Sequence, residues 1–203
     1  SEEGFVVHLP AARRWALGPM AFSVGQAFLR YDPREALARP LIMALADDVG
    51  HTAHLGVLHG VEVVYLIKES SRHRKDSPTL ITGIGVHLPA ATTASGRAML
   101  AHLPSDQLRA LMSTPDAFIG RTGRGPRSLS TLRRTLSAEQ AHGYAHEVGE
   151  VLEGYASVAA AVLDRAGRPA ASVSVTYRLD ERVDVAEIGR AVARAAEAIS
   201  LRG

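Results

Sequence analysis

The chain contains no cysteine, which excludes both a disulfide framework and a thiolate zinc site. No apolar run approaches the roughly 20 residues needed to cross a bilayer. No secretory signal segment is visible, so the cytoplasm is the expected compartment. Neither sign of charge dominates. The formal net charge is +2 with the histidines neutral, too little to argue for nucleic-acid contact by itself. G-x-S-x-G, P-loop and H-E-x-x-H motifs are all missing, and so is any defensible Ser/His/Asp spacing. Internal repeats and low-complexity segments are absent as well. No catalytic role and no cofactor are therefore expected.

What is present reads as an ordinary soluble protein, 46% hydrophobic and 22% charged. Its 203 residues suit one sizeable domain, or one domain with an appendage. It opens on Ser1 rather than methionine, as a fragment or trimmed chain would.

Gly4 to Leu9 and Arg14 to Gly18 read as two short strands around a turn at Pro10 to Arg13. An isolated hairpin is marginal in water and needs a support. Met20 to Tyr31 reads as a helix, with Met20, Val24 and Phe28 on one side. Asp32-Pro33 breaks it, and Pro33 suits the first turn of the next helix. That helix carries Leu37, Leu41, Ala44, Leu45 and Val49, with Pro40 as either a kink or the true start, and Gly50 ends it. His51 to Leu58 and Val61 to Glu69 form a hairpin turning at His59-Gly60. In it Val61, Val63, Tyr65 and Ile67 share one face by strict alternation. Ser70 to Gly85 is a polar connection long enough to act as a lid or binding loop.

Further on, Ser105 to Ser113 and Ser128 to His142 read as helices, the second closed by Gly143. Ser157 to Leu163 and Ala170 to Tyr177 read as strands. Asp184 caps the last helix, with Glu187 three residues on. Together these elements predict an α+β domain, an antiparallel sheet with helices packed on it. His51, His54 and His59 gather near one hairpin, but His51 and His54 fall on opposite strand faces, so no metal site is expected. Most arginine clusters read as solvated faces. Arg72-His73-Arg74-Lys75 is kept open as an attractor for an anionic ligand.

Leu88-Pro89-Ala90-Ala91-Thr92-Thr93-Ala94-Ser95-Gly96-Arg97-Ala98-Met99-Leu100 reads as a strand end, a hydroxyl cluster and a helix start. Thr92 and Thr93 are good N-caps. Gly96 and its small neighbours leave room for a ligand near the backbone, and helix N-termini bind anions. In Ser172 to Tyr177, alternation puts Ser172, Ser174 and Thr176 on one face, and Val173, Val175 and Tyr177 on the other. The hydroxyl face either meets solvent or lines a polar cavity.

The first of these segments is followed by Gly143-Tyr144-Ala145-His146-Glu147, then Gly154 to Asp164, then Gly167 to Thr176. In order and spacing the set resembles the effector-binding domain of the IclR family of bacterial transcriptional regulators. The family patterns are LPLHATAxGKALLA, GYAxDxEE, GxxxIAAPVxD and a strand ending SxSG. The resemblance covers about Leu37 to Gly203, and more weakly the first thirty residues. It implies a GAF-like fold. It also implies residues 1–19 as the wing remnant of a truncated winged-helix DNA-binding domain, 20–32 as a linker helix, and 33–203 as the effector domain.

The implied ligand contacts are the backbone of Ala94 and Ser95, the carboxyl of Glu147, and the hydroxyls of Ser157, Ser174 and Thr176. Leu80, Leu88 and Tyr155 would supply apolar walls. Glu147 stands where aspartate is common, Ser157 where cysteine is common, and Thr176 where the second serine is. The implied effector is a small organic acid. The implied partners are DNA, through the whole regulator, and further copies of the chain in a dimer or tetramer. Two other readings remain open: a module for dimerisation alone, and a small-molecule hydrolase using Ser95 or Ser157 with His87 or His146.

Overall fold

A computed structural model describes residues 3–31, 33–74 and 82–200. The chain divides into two compact units, Ser1–Ala36 and Leu37–Gly203.

In the first unit, β1 (Val6–Leu9) and β2 (Arg14–Leu17) pair antiparallel, with Val6 opposite Leu17 and Leu9 opposite Arg14. A 3-10 turn at Pro10–Ala12 joins them, and Arg13 closes it at φ 49°. Gly18 is required by close approach, because a Cβ there would lie 2.1 Å from the Gly4 carbonyl oxygen. α1 (Pro19–Tyr31) begins on a proline, whose fixed φ suits a first turn. Trp15, Leu17 and Phe22 are exposed.

α2 (Pro33–Val49) starts at Pro33 and runs through Pro40 as one helix. The second unit is built on a six-stranded sheet in the order β5-β4-β3-β8-β7-β6. Its strands are β3 (Thr52–His59), β4 (Glu62–Ser70), β5 (His87–Pro89), β6 (Ala145–Val148), β7 (Tyr155–Leu163) and β8 (Pro169–Arg178). All neighbours pair antiparallel. The expected α+β arrangement is present, and the sheet gains one strand, β6, that the spacing does not predict.

One face of the sheet is covered by α2 and α6 (Val185–Ser200). Ile42, Leu45, Leu55, Ile67, Val158, Val173, Val175, Ile188 and Val192 are buried there in a single apolar cluster. Each large aliphatic side chain so buried contributes about 1.5–3 kcal/mol. Asp184 caps α6 as expected, its Oδ1 accepting the N–H of Ala186 at 2.9 Å and of Glu187 at 3.1 Å.

The other face meets α3 (Ala94–Leu100), α4 (Ser105–Leu111) and α5 (Leu129–His142). Val63, Tyr65, Leu88, Met99, Leu100, Leu108, Leu132 and Leu136 form the second cluster. Strict alternation fails in β4. Leu55 pairs with Ile67 and Gly56 with Tyr65, so Leu66 is an extra residue in the ladder. Such a bulge reverses which side the following residues face. Ile67 and Leu66 therefore join the first cluster, while Tyr65 and Val63 join the second. The expectation that Tyr65 and Ile67 share a face is corrected by this single insertion.

Candidate functional site

Cross-strand register assembles the site. Ser70, Thr52, Thr176, Ser157 and Glu147 stand directly opposite one another on five successive strands. They form one polar line across the sheet. Thr52 Oγ1 and Ser70 Oγ are 3.3 Å apart, and Ser157 Oγ and Thr176 Oγ1 are 3.0 Å apart. The next line on the same face is Lys68, His54, Ser174, Ala159 and Ala145. Its alanines let α3 lie close, with Ala94 and Ala98 packed on Ala145 and Ala159. The hydroxyl face of β8 is thus buried beneath a helix, with Ser172, Ser174 and Thr176 all out of solvent.

The start of α3 is set by Thr93, whose Oγ1 accepts the Gly96 N–H at 3.0 Å. The N–H groups of Ala94 and Ser95, at the first two helical positions, have no intrahelical acceptor. Gly96 serves a different purpose from the one expected. A Cβ there would lie 2.2 Å from the Ala90 carbonyl oxygen, so its smallness admits the chain's own backbone rather than a ligand.

A small cavity sits over the polar line. Tyr65, Thr82, Thr93, Ala94, Glu147, Tyr155, Ser157 and Thr176 line it, with Val151 and Leu152 at its apolar side. About 20 Å³ is open to the centre of a water-sized molecule, room for roughly one water. Five expected contact residues meet here: Ala94, Glu147, Tyr155, Ser157 and Thr176. The others lie elsewhere. Ser95 is buried, and its Oγ has no formed hydrogen bond among the described residues. Ser174 stands one line away, opposite His54. Leu88 is part of the second apolar cluster, and Leu80 falls outside the described residues.

The Glu147 side chain is 2% exposed. Its Oε2 accepts the Glu150 N–H at 3.0 Å. Burial pushes its carboxyl up to about 7, against the opposing effects of that N–H, the Ser157 hydroxyl and Arg97. Burial likewise pushes the Tyr65 phenol up to about 12, and the adjacent Ser95 hydroxyl pulls it partly back. His54 is fully buried, with Nε2 2.8 Å from Thr82 Oγ1 and Nδ1 without a hydrogen-bond partner among the described residues. Burial, aided by Lys68, drives its imidazole down to about 3. His54 and Tyr65 are therefore neutral hydrogen-bonding groups across the physiological range.

A buried arginine, which the spacing does not point to, lies beneath the site. Arg97 is 1% exposed on α3. It donates to Glu139 on α5 at 2.9 Å and to Glu150 at 2.7 Å. It also donates to the His146 carbonyl at 2.7 Å. Burial raises the carboxyls of Glu139 and Glu150 above the usual range even beside it. The family pattern carries a basic residue at this position of the helix, and that was the available signal. Tyr65 was hidden by the bulge, and Thr82 by its place in an irregular connection.

The basic stretch kept open for an anion is engaged internally. Arg72 donates to Asp47 at 2.8 and 2.6 Å. Arg74 pairs with Glu181, and Lys75 lies outside the described residues. No cluster of three or more metal-ligating side chains occurs among the described residues. No described helix is long and apolar enough to cross a membrane.

The model of the bacterial transcriptional regulator IclR C-terminal region matches residues 29–201. The glycerol operon regulatory protein of Streptomyces coelicolor is 35% identical over 179 residues, 86% of this chain and 66% of that protein. The Escherichia coli transcriptional repressor IclR is 27% identical over 208 residues, 98% of this chain and 73% of that protein. These relatives are transcriptional regulators rather than enzymes, and the chain spans about two thirds of their length. In fold, the chain is similar to the Thermotoga maritima IclR crystal structure. The TM-score is 0.82 at 24% identity, over 99% of this chain and 80% of that one.

Proposed function

The chain belongs to the IclR family of bacterial transcriptional regulators, whose members bind DNA and small-molecule effectors, and we propose that it senses a small organic acid and passes that signal to DNA binding. The observation that carries this reading is the convergence of Ala94, Glu147, Tyr155, Ser157 and Thr176 on one cavity. They come from one helix and three strands. Ala94 offers an N–H donor, and Ser157, Thr176 and Tyr65 offer hydroxyls. A ligand of several heavy atoms needs more than about 20 Å³. Binding therefore favours an opened state over the closed one, as a two-state sensor requires.

In this reading residues 1–19 end a winged-helix DNA-binding domain, 20–32 form the linker helix, and 33–203 hold the effector. The Streptomyces coelicolor relative is named for a glycerol operon, which adds glycerol to the ligands worth testing. A thermal-shift panel of acetate, glycolate, lactate and glycerol tests the reading, followed by operator binding of the whole regulator. A ligand at about 100 times its Kd adds roughly 2.7 kcal/mol of stability. The small volume favours a second reading, a module for assembly alone. Silence across the panel, with stable self-association, selects that reading.

A further inference from the structure

The charges around Glu147 determine how an acid can bind. We propose that the site takes its carboxylate ligand together with one proton, so that the Glu147 carboxyl becomes the hydrogen-bond donor to the ligand's carboxylate. This rests on the effector-site reading above. It adds that the bound species is the anion plus a proton on Glu147.

The first ground is the lining. Among the described residues around the cavity there is no lysine, arginine or histidine, and Glu147 is its one ionisable carboxyl. The second is Arg97, the cation whose charge acts on Glu147. Its guanidinium already meets two carboxylates, Glu139 and Glu150, at 2.9 and 2.7 Å. That trio carries one positive and two negative charges when ionised, so it has no surplus for a ligand. The third is burial. Two carboxylates placed together out of water cannot both stay ionised, and one proton settles between them.

The remaining groups facing Glu147 leave this unchanged. From β7 come Ser157 and Tyr155, and from β8 comes Thr176, with Tyr177 near enough to feel the charge. β4 contributes Tyr65, α3 contributes Arg97 and the segment after β6 contributes Glu150, while Glu139 on α5 is held by Arg97. Exposed Arg124 lies against Gly149, two residues from Glu147. Lys68, the cation on the site face of β4, stands opposite His54 at the far end. Burial already holds the Glu147 carboxyl near neutrality in the absence of ligand, so the proton is available at modest cost.

The step balances simply. A ligand carboxylate enters as the anion. One proton comes from solvent onto a Glu147 oxygen, and that O–H donates to a ligand oxygen. The other Glu147 oxygen keeps the Glu150 N–H. The one bond made is the Glu147 O–H; the site gains one anion and one proton, and its net charge is unchanged.

The test is titration calorimetry of acetate, glycolate and lactate at pH 6 and pH 8, in two buffers of different ionisation enthalpy. These acids do not titrate in that range. At pH 8 each carboxylate that binds takes up close to one proton, and its Kd weakens several-fold to tenfold per pH unit above neutrality. Glu147→Gln, a neutral isostere that can still accept the Glu150 N–H, gives a Kd that is flat with pH. Glycerol, if bound, takes up no proton through pairing with Glu147. A carboxylate that binds the unaltered protein equally at both pH values overturns the proton coupling and leaves the effector site standing. PH dependence that survives in Glu147→Gln does the same. No binding by any carboxylate at either pH overturns both.

Discussion

Arg97 and Glu150 meet at 2.7 Å with the arginine 1% exposed. Glu147 in turn holds the Glu150 backbone N–H at 3.0 Å. The buried cation and the cavity carboxyl are therefore joined through one residue. Arg97 also reaches Glu139 and the His146 carbonyl, so it ties α3 to α5 and to β6.

Removing that cation should be expensive. Arg97→Ala leaves Glu139 and Glu150 facing each other in a half-buried site. Breaking a buried pair in this way costs about 3–5 kcal/mol. Urea unfolding should show a loss of unfolding free energy of that size, and a loss under about 1 kcal/mol would mean that water reaches the pair freely. Arg97→Lys keeps the charge but loses the fork geometry, and should fall between the two.

Gly96→Ala tests the close approach of α3 to the turn before it. The new Cβ would sit 2.2 Å from the Ala90 carbonyl oxygen and 2.4 Å from its Cα. Backbone must move, and overpacking of this kind costs about 1–3 kcal/mol or more. A melting temperature equal to the parent's would show that the helix start has slack.

Ser157→Ala removes one partner of the 3.0 Å contact with Thr176 Oγ1. The expected loss is about 1 kcal/mol of stability, with a weaker effect on the first apolar cluster than any core truncation. Effector affinity should drop as well, by more than stability does. If stability falls and affinity holds, the hydroxyl is structural only.

Stability should also depend on pH through two buried groups of opposite sign. Glu147 is raised to about 7, so the folded state binds its proton more tightly than the unfolded one. Its contribution is present at low pH and is lost as pH rises from about 4.5 to 7. His54 is lowered to about 3, so its contribution is present above about 6.5 and is lost as pH falls toward 3. Between about 4.5 and 6.5 these two slopes oppose each other. Glu147→Gln removes one of them, and relative to the parent its stability should climb by about 3 kcal/mol from pH 4.5 to 7. Denaturant melts at five pH values measure this, and parallel curves for parent and variant would refute it.

The sequence was most legible where a strict period or a local rule operated. The hydroxyl face of β8 followed from alternation, and α6 from its apolar spacing and Asp184. Five of the cavity's residues were named in advance by family resemblance. What escaped depended on distance or on a break in the period. β6 is four residues long, too short to show alternation. Arg97 looks like any helix-surface arginine until Glu139 and Glu150, 42 and 53 residues away, close over it. Leu88 belongs to an apolar cluster assembled from several helices and strands, which no local window reveals. Pro40 argues for a helix break by its own chemistry, and the surrounding burial of Ala38, Ile42, Leu45 and Ala46 keeps the helix continuous.

The extra residue in β4 reaches further than its size. Because Leu66 is unmatched in the ladder, Tyr65 and Lys68 point to the same side although three positions separate them. Alignments of this domain that close a one-residue gap anywhere in Leu66-Ile67 exchange inside for outside over the whole N-terminal half of the strand. The phenol of the cavity would then be assigned to the α2 side of the sheet, and a leucine to the cavity. For this domain, counting residues between Tyr65 and Lys68 is thus as informative as identifying them. A relative with one fewer there has a different far wall, whatever its percentage identity.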